Sequence, residues 1–467
     1  MIDNFIASVN DALYTYILIF LLVLGGLYFS IRTGFVQFRL LKQQFKAVIE
    51  KPAEKDGVSS FQALIVSTAS RVGTGNIIGV STALCLGGFG SVFWMWLIAI
   101  IGGASAFAES TLAQIYKKKG IDGSYGGPAH YIETVFKKKY MSVIFSLLLI
   151  LTYAFGFNML ASYNLQSTFS AYSFYNADTT PWIIGLIVSA VVCYCLIGGG
   201  KRIIKVTTFL VPIMGIIYIA VALIIIVMNY NIIPDVISRI FKEALDIKSA
   251  FGGFTGSCIM YGIKRGLFSN EAGVGSAPNA SASAEIDHPA KQGLVQVLSV
   301  FIDTILICGA TAFMCMCSGV EPKAELSGAP YVQLALKNVL GDAGPIFITL
   351  AMIFFAFTTL LGNLFYVDKA FDYIFGKSPS KRFMLVYRII ASLVIFIGAV
   401  LSADLLWNIA DVTMGLMTLI NMPVILYLGK YVFRTLKDYE AKLKNGDDIY
   451  FNVKDIGLDI ETEYWNK

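Results

Sequence analysis

Gly266-Leu267-Phe268-Ser269-Asn270-Glu271-Ala272-Gly273-Val274-Gly275-Ser276-Ala277-Pro278 interrupts an apolar run that is otherwise long enough to cross a bilayer. Three glycines and an asparagine weaken the helix there. A lipid-facing segment cannot leave amide and carbonyl groups unpaired, so such a stretch survives at membrane depth only when it is buried in protein or lines a cavity. A second interruption, Ser70-Arg71-Val72-Gly73-Thr74-Gly75-Asn76, lies inside another apolar span far upstream. Two broken spans in corresponding halves of a chain point to a ligand site near the bilayer midplane.

Composition supports a membrane setting. The 467 residues are 56% hydrophobic and only 14% charged, with mean hydropathy +0.69, which is too apolar for an ordinary soluble protein and reads as a polytopic all-α membrane protein. A net charge of +5 over this length does not point to nucleic acid as a partner. All seven cysteines fall in apolar segments without a C-x-x-C pair, so they read as buried thiols.

The first apolar run, Tyr14 to Ile31, is followed by Arg32, Arg39, Lys42 and Lys46, the reverse of a cleaved signal peptide's charge order. Those bases place its C-terminal end in the cytoplasm and the N-terminus outside. Further spans read as 61–86, 92–115, 145–169, 182–197, 206–227, 251–276, 294–317, 346–366, 383–401 and 405–428, giving about eleven in all. Threaded in turn, they put the lysine runs 117–119 and 137–139, Lys201-Arg202, Lys381-Arg382 and the basic 430–444 segment on the cytoplasmic side. The main exception is the external loop 229–250, which holds Arg239, Lys242 and Lys248.

With residues 1–56 set aside as an extra helix and connector, the core 57–429 divides into two blocks of five spans, 57–230 and 251–429, each opened by a broken one. An odd number of spans reverses direction, so the two broken helices run oppositely, as in an inverted 5+5 repeat. Two short stretches, 126–133 and 331–339, look interfacial. Residues 430–467 read as a cytoplasmic tail.

At a broken helix, freed amides at the N-terminal end of one half suit a carboxylate, and freed carbonyls at the C-terminal end of the other suit a cation. Thr74, Gly75 and Asn76 would present amides; Ala69 and Val72 would present carbonyls. Carbonyls near Gly266 to Phe268, with the Asn270 amide, would take an ammonium group. An amino acid fits between them. The structural alternative is a pair of glycine kinks that only let helices pack closely. Thr358 and Thr359 sit mid-span and could complete an oxygen cage for Na⁺, unless each hydroxyl bonds back to its own helix. Gln166 could reach the site or serve an interhelical hydrogen bond.

Charges within spans are costly and usually paired or functional. Arg71 is expected to pair with Glu271, with Glu109 as a third member; Lys264 and Arg265 have no evident partner. An enzyme would need a nucleophile with its base, or a metal site, and no cofactor motif is visible.

Gly266 to Pro278, Gly73-Thr74-Gly75-Asn76 and Gly126-Gly127-Pro128 with Tyr131-Ile132-Glu133 together resemble the alanine/glycine:cation symporter family. The resemblance covers essentially the whole chain. It departs at Ala129-His130, where family members commonly carry Met or Tyr after Gly-Gly-Pro. It implies a leucine-transporter-like ten-helix core after one extra helix, and Na⁺-coupled uptake of alanine or glycine across the plasma membrane without a cofactor. It also implies substrate contacts at Thr74, Gly75, Gln166, Phe268, Asn270 and Thr359, and Na⁺ ligands at Ala69, Val72, Thr358 and Thr359, with Asn76 a further candidate. H⁺ coupling and a small-solute channel remain the competing readings, and oligomeric state is not legible.

Overall fold

The structure, a computed structural model, describes residues 2–53, 57–120, 123–197, 199–246, 254–446, 449–458 and 462–466. In chain order the helices that matter here are α1 (Asp3–Arg32), α2 (Ser60–Arg71), α3 (Gly75–Gly87), α4 (Gly90–Ile115), α5 (Pro128–Phe136), α6 (Lys139–Ala171), α7 (Thr180–Ile197) and α8 (Gly199–Met228). They continue as α9 (Ile233–Ala244), α10 (Phe254–Asn270), α11 (Pro289–Met316), α12 (Ala329–Leu340), α13 (Ala343–Phe375), α14 (Lys381–Gly398) and α15 (Ala403–Asn445).

Among the described residues, eight helices are long and apolar enough to cross a membrane: α1, α4, α6, α7, α8 from Arg202, α11, α13 and α15. Apolar side chains that soluble proteins would bury, such as Ile216, Leu186 and Val227, are exposed along α7 and α8, as lipid-facing surfaces require. The other three expected spans take different forms. Residues 61–86 divide into α2 and α3, α10 stops at Asn270, and 383–401 becomes α14, which carries Arg388. Residues 251–253, at the start of the expected second broken span, lie outside the described residues.

The amphipathic stretches 126–133 and 331–339 form the short helices α5 and α12. The loop that breaks the charge pattern holds α9, whose Arg239 pairs with Glu243 at 2.7 Å and Glu321 at 2.8 Å. Glu243 also accepts from the Phe89 amide at 2.6 Å, capping the start of α4.

Two features lie outside the long helices. A short hairpin follows α4, where β1 (Lys118–Gly120) pairs antiparallel with β2 (Gly123–Tyr125). The last described residues pack against the helices. Helix α15 runs unbroken to Asn445, and the chain then folds back to bury Phe451, Val453, Ile456, Leu458 and Trp465. The Trp465 Nε1–H donates to the Gln114 carbonyl at 2.8 Å, and Lys118 pairs with Glu463 at 3.3 Å. Apolar residues spaced through a polar segment supply the burial that docks it.

Candidate functional site

Helix α2 opens on a capping box in which Ser59 and Gln62 satisfy each other's backbone amides. It ends at Arg71 because Val72 turns extended, with φ −74° and ψ 91°. Beyond it, the Gly73 amide, which a continued helix would aim at the Ala69 carbonyl, donates instead to Asn76 Oδ1 at 2.7 Å. That carbonyl is thereby released from the helical ladder. The chain resumes as a π-helical turn over Gly75–Gly79, a form common at functional sites.

The second break lies further along than the glycine pattern suggests. Helix α10 continues through Asn270, so Gly266, Leu267 and Phe268 are helical, and the Leu267 carbonyl accepts from the Glu271 amide at 2.9 Å. The Leu267 carbonyl is therefore still engaged, whereas the Phe268 carbonyl is released, because the Ala272 amide that a continued helix would aim at it turns to the Asn270 side chain. The interruption proper runs from Glu271 to Ala277, where Glu271, Gly273 and Gly275 have φ of 53°, 85° and 92°. Glycine tolerates that region; Glu271 occupies it at a cost of order 1 kcal/mol or more. Asn270 Oδ1 accepts from the Ala272 amide at 3.0 Å, while its Nδ2 is buried without a partner.

The two breaks touch. A Cβ on Gly75 would lie 2.7 Å from the Phe268 ring, and one on Gly73 would overlap Thr359 Oγ1. Helix α13 presses on the first break as well, since a Cβ on Gly362 would come within 2.6 Å of the Ser70 nitrogen. The adjacent threonines differ. Thr358 Oγ1 donates back to the Phe354 carbonyl at 3.0 Å, whereas Thr359 Oγ1 is buried with no partner. Thr74 Oγ1 accepts from Asn164 Nδ2 at 3.1 Å, and the Phe268 ring is held between Phe157 at 4.6 Å and Trp407 at 4.8 Å.

A cavity of about 520 Å³ runs from Asn164, Gln166 and Trp407 to loop residues such as Tyr175 and Gly328. Gln166 accepts from the Tyr175 hydroxyl at 3.3 Å there. Asp411 takes both intramembrane bases left unpaired in the sequence reading: Lys264 at 3.2 Å and Arg265 at 2.5 Å. The Arg265 guanidinium also stacks over Trp407 at 4.0 Å. Asp411 and Trp407 went unassigned because 146 residues separate Arg265 from Asp411; the only signal was a lone carboxylate within the last span.

The expected ion pair between Arg71 and Glu271 does not form, nor does one with Glu109; no such contact falls within 4.0 Å. Arg71 donates to Gln296 Oε1 at 3.0 Å, Glu271 accepts from Ser276 Oγ at 2.6 Å, and Glu109 accepts from Asn421 Nδ2 at 2.9 Å. The left-handed turn at Glu271 folds its carboxylate toward Ser276, five residues on. All three charges remain buried, each held by neutral polar groups.

Residues 1–453 match the sequence profile described as the sodium:alanine symporter family. Among similar proteins, one named a probable sodium/glutamine symporter, from Bacillus subtilis, is 41% identical over 98% of this chain and 94% of its own length. A sodium/alanine symporter from Methanococcus maripaludis is 34% identical over 95% of this chain and 98% of its own. A sodium/proton-dependent alanine carrier protein from Bacillus sp. PS3 is 35% identical, with 88% and 94% covered. Together with the apolar helices and paired breaks, these likenesses make the chain a multi-pass membrane amino-acid symporter rather than an enzyme, and it belongs to the sodium:alanine symporter family.

Proposed function

We propose that the chain takes up a small neutral amino acid, alanine or glycine, together with Na⁺ by alternating access. The observation that carries this reading is Thr359 Oγ1, a buried hydroxyl without a partner, set against a break where the Ala69 carbonyl has left its helix. Hard cations take oxygen ligands, so the carbonyls of Ala69 and Val72 with the hydroxyls of Thr358 and Thr359 would hold Na⁺. Thr358 still offers oxygen lone pairs after donating its proton. Asn76 Oδ1 already accepts from the Gly73 amide, and its second lone pair keeps it a further candidate ligand. The amides of Thr74 and Gly75 face the substrate carboxylate in this reading, with Gln166, Asn270 and Thr359 around the ammonium group. Phe268, in contact with Gly75, leaves little room for a side chain. That contact favours alanine over the glutamine named for one relative.

In the same reading the eight apolar spans become eleven when α2 with α3, α10 with the break after it, and α14 are counted as crossings. Residues 1–56 precede the repeats 57–230 and 251–429, and 430–467 lies in the cytoplasm. The N-terminus is outside and the protein resides in the plasma membrane. The relative named for both sodium and proton favours a second reading, H⁺ coupling, in which a buried carboxylate among Glu109, Glu271 and Asp303 carries the proton. Isotope uptake by proteoliposomes under imposed Na⁺ or H⁺ gradients, with a panel of amino acids, tests both. Uptake of alanine and glycine driven by Na⁺ is expected. Equal transport of leucine or phenylalanine would refute the pocket, and absence of counterflow from preloaded vesicles would favour a channel.

A further inference from the structure

Asp303 is one of three buried carboxylates, with Glu109 and Glu271, that Na⁺ coupling leaves unused. Asp303 lies in α11 where the helix widens into a π-helical turn over Phe301–Cys308, and it makes no ion pair among the described residues. Its oxygens instead accept three hydrogen bonds: from Asn76 Nδ2 at 2.7 Å, from Ser269 Oγ at 2.6 Å and from Thr304 Oγ1 at 2.7 Å. Asn76 belongs to the turn just after the first break, and Ser269 to the last turn of α10 just before the second. Because Asp303 holds the Nδ2 end of the Asn76 amide, the Oδ1 end faces the Gly73 amide and keeps it away from the Ala69 carbonyl. Hydrogen bonds to a carboxylate are roughly twice as strong as neutral ones, so one residue on a third helix clamps both interruptions.

We propose that Asp303 is a positioning residue for transport: acting as a hydrogen-bond acceptor, it holds the two breaks in register and keeps the Ala69 carbonyl free. The proposal rests on the reading that the breaks form the substrate and cation site. Its effect runs through Asn76 and Ser269 rather than through contact with substrate. An isosteric amide keeps one acceptor oxygen for Asn76, and the hydroxyls of Ser269 and Thr304 can turn to accept from its NH₂.

The test compares D303N, D303L and S269A with wild type in proteoliposomes, reading alanine KM, half-saturating Na⁺ and maximal rate per folded protein. D303L is expected to raise both concentrations about tenfold, as loss of a buried hydrogen bond does, with maximal rate largely kept. D303N is expected to stay within about threefold of wild type on both, since its acceptor remains. S269A is expected to raise KM and to add nothing on top of D303L, because both cut one clamp. The proposal is overturned if D303N is as impaired as D303L, which would make the charge itself the requirement. An unchanged KM in D303L with only a lower melting temperature would overturn it too. Should D303L not fold, an unchanged KM in S269A overturns it. G75A, which drives a methyl into the Phe268 ring, separates the two readings. If G75A raises KM and D303L does not, the pocket stands and the Asp303 role falls; if neither does, both fall.

Discussion

Replacing Thr359 by alanine removes an oxygen that makes no hydrogen bond in the protein, so its loss leaves no other protein group unpaired. Loss of one buried polar interaction is worth about 1–3 kcal/mol, and each 1.4 kcal/mol is a factor of ten, so half-saturating Na⁺ should rise about tenfold. Thr359→Ser keeps the oxygen and should remain near wild type. Thr358→Ala should raise half-saturating Na⁺ as well, because the Thr358 oxygen keeps its lone pairs while its proton goes to the Phe354 carbonyl at 3.0 Å. Cation and substrate are linked reciprocally. Alanine KM in Thr359→Ala should therefore rise at limiting Na⁺ and converge on the wild-type value at saturating Na⁺. The assay is initial-rate uptake of labelled alanine into proteoliposomes across a Na⁺ series, normalised to folded protein. If Thr359→Ala folds, transports and shows unchanged Na⁺ dependence, the ion is held elsewhere or the driving ion is H⁺.

Asp411→Asn leaves Lys264 and Arg265 without their shared counter-ion, and breaking a buried pair costs about 3–5 kcal/mol, so a marked fall in melting temperature is expected. An unchanged melt would show that the two bases are solvated. The double variant Arg71→Glu with Glu271→Arg should not recover the loss of either single change, because no ion pair joins these residues; a clear rescue in a double-mutant cycle would refute that geometry. Stability should also fall on acidification. Burial first, and then the Lys118 charge, hold His130 down at about 3, and burial lowers His288 against the opposing pull of Asp438. Both folded values lie below the unfolded value of about 6.5, so this stability is fully present above pH 6.5 and is lost as pH drops below it. Between pH 7 and pH 5 His130 alone accounts for about 2 kcal/mol, at 1.36 kcal/mol per unit. His130→Gln should flatten the decline of melting temperature with pH, and an identical slope would contradict the assignment.

The membrane class, most of the spans and both interruptions were legible in the order of residues. A bilayer core forces every backbone polar group to be satisfied within its own segment, so apolar length and its interruption by Gly, Asn and charge are properties of local sequence. What only the tertiary structure decided were the partnerships. Periodicity could not show that Asp411 serves Lys264 and Arg265, that Arg71 turns to Gln296, or that Asp303 reaches Asn76 and Ser269. Nor could it show that α10 holds through Asn270, because the break is set by left-handed dihedrals at Glu271, Gly273 and Gly275 rather than by the first glycine of the motif. The docked C-terminal segment shows the same limit: where its scattered apolar residues bury depends on distant surfaces, His288 for Phe451 and Gln114 for Trp465 among them. Local chemistry is written along the chain, whereas the pairing of buried charges depends on which distant segments three-dimensional packing brings within about 3 Å.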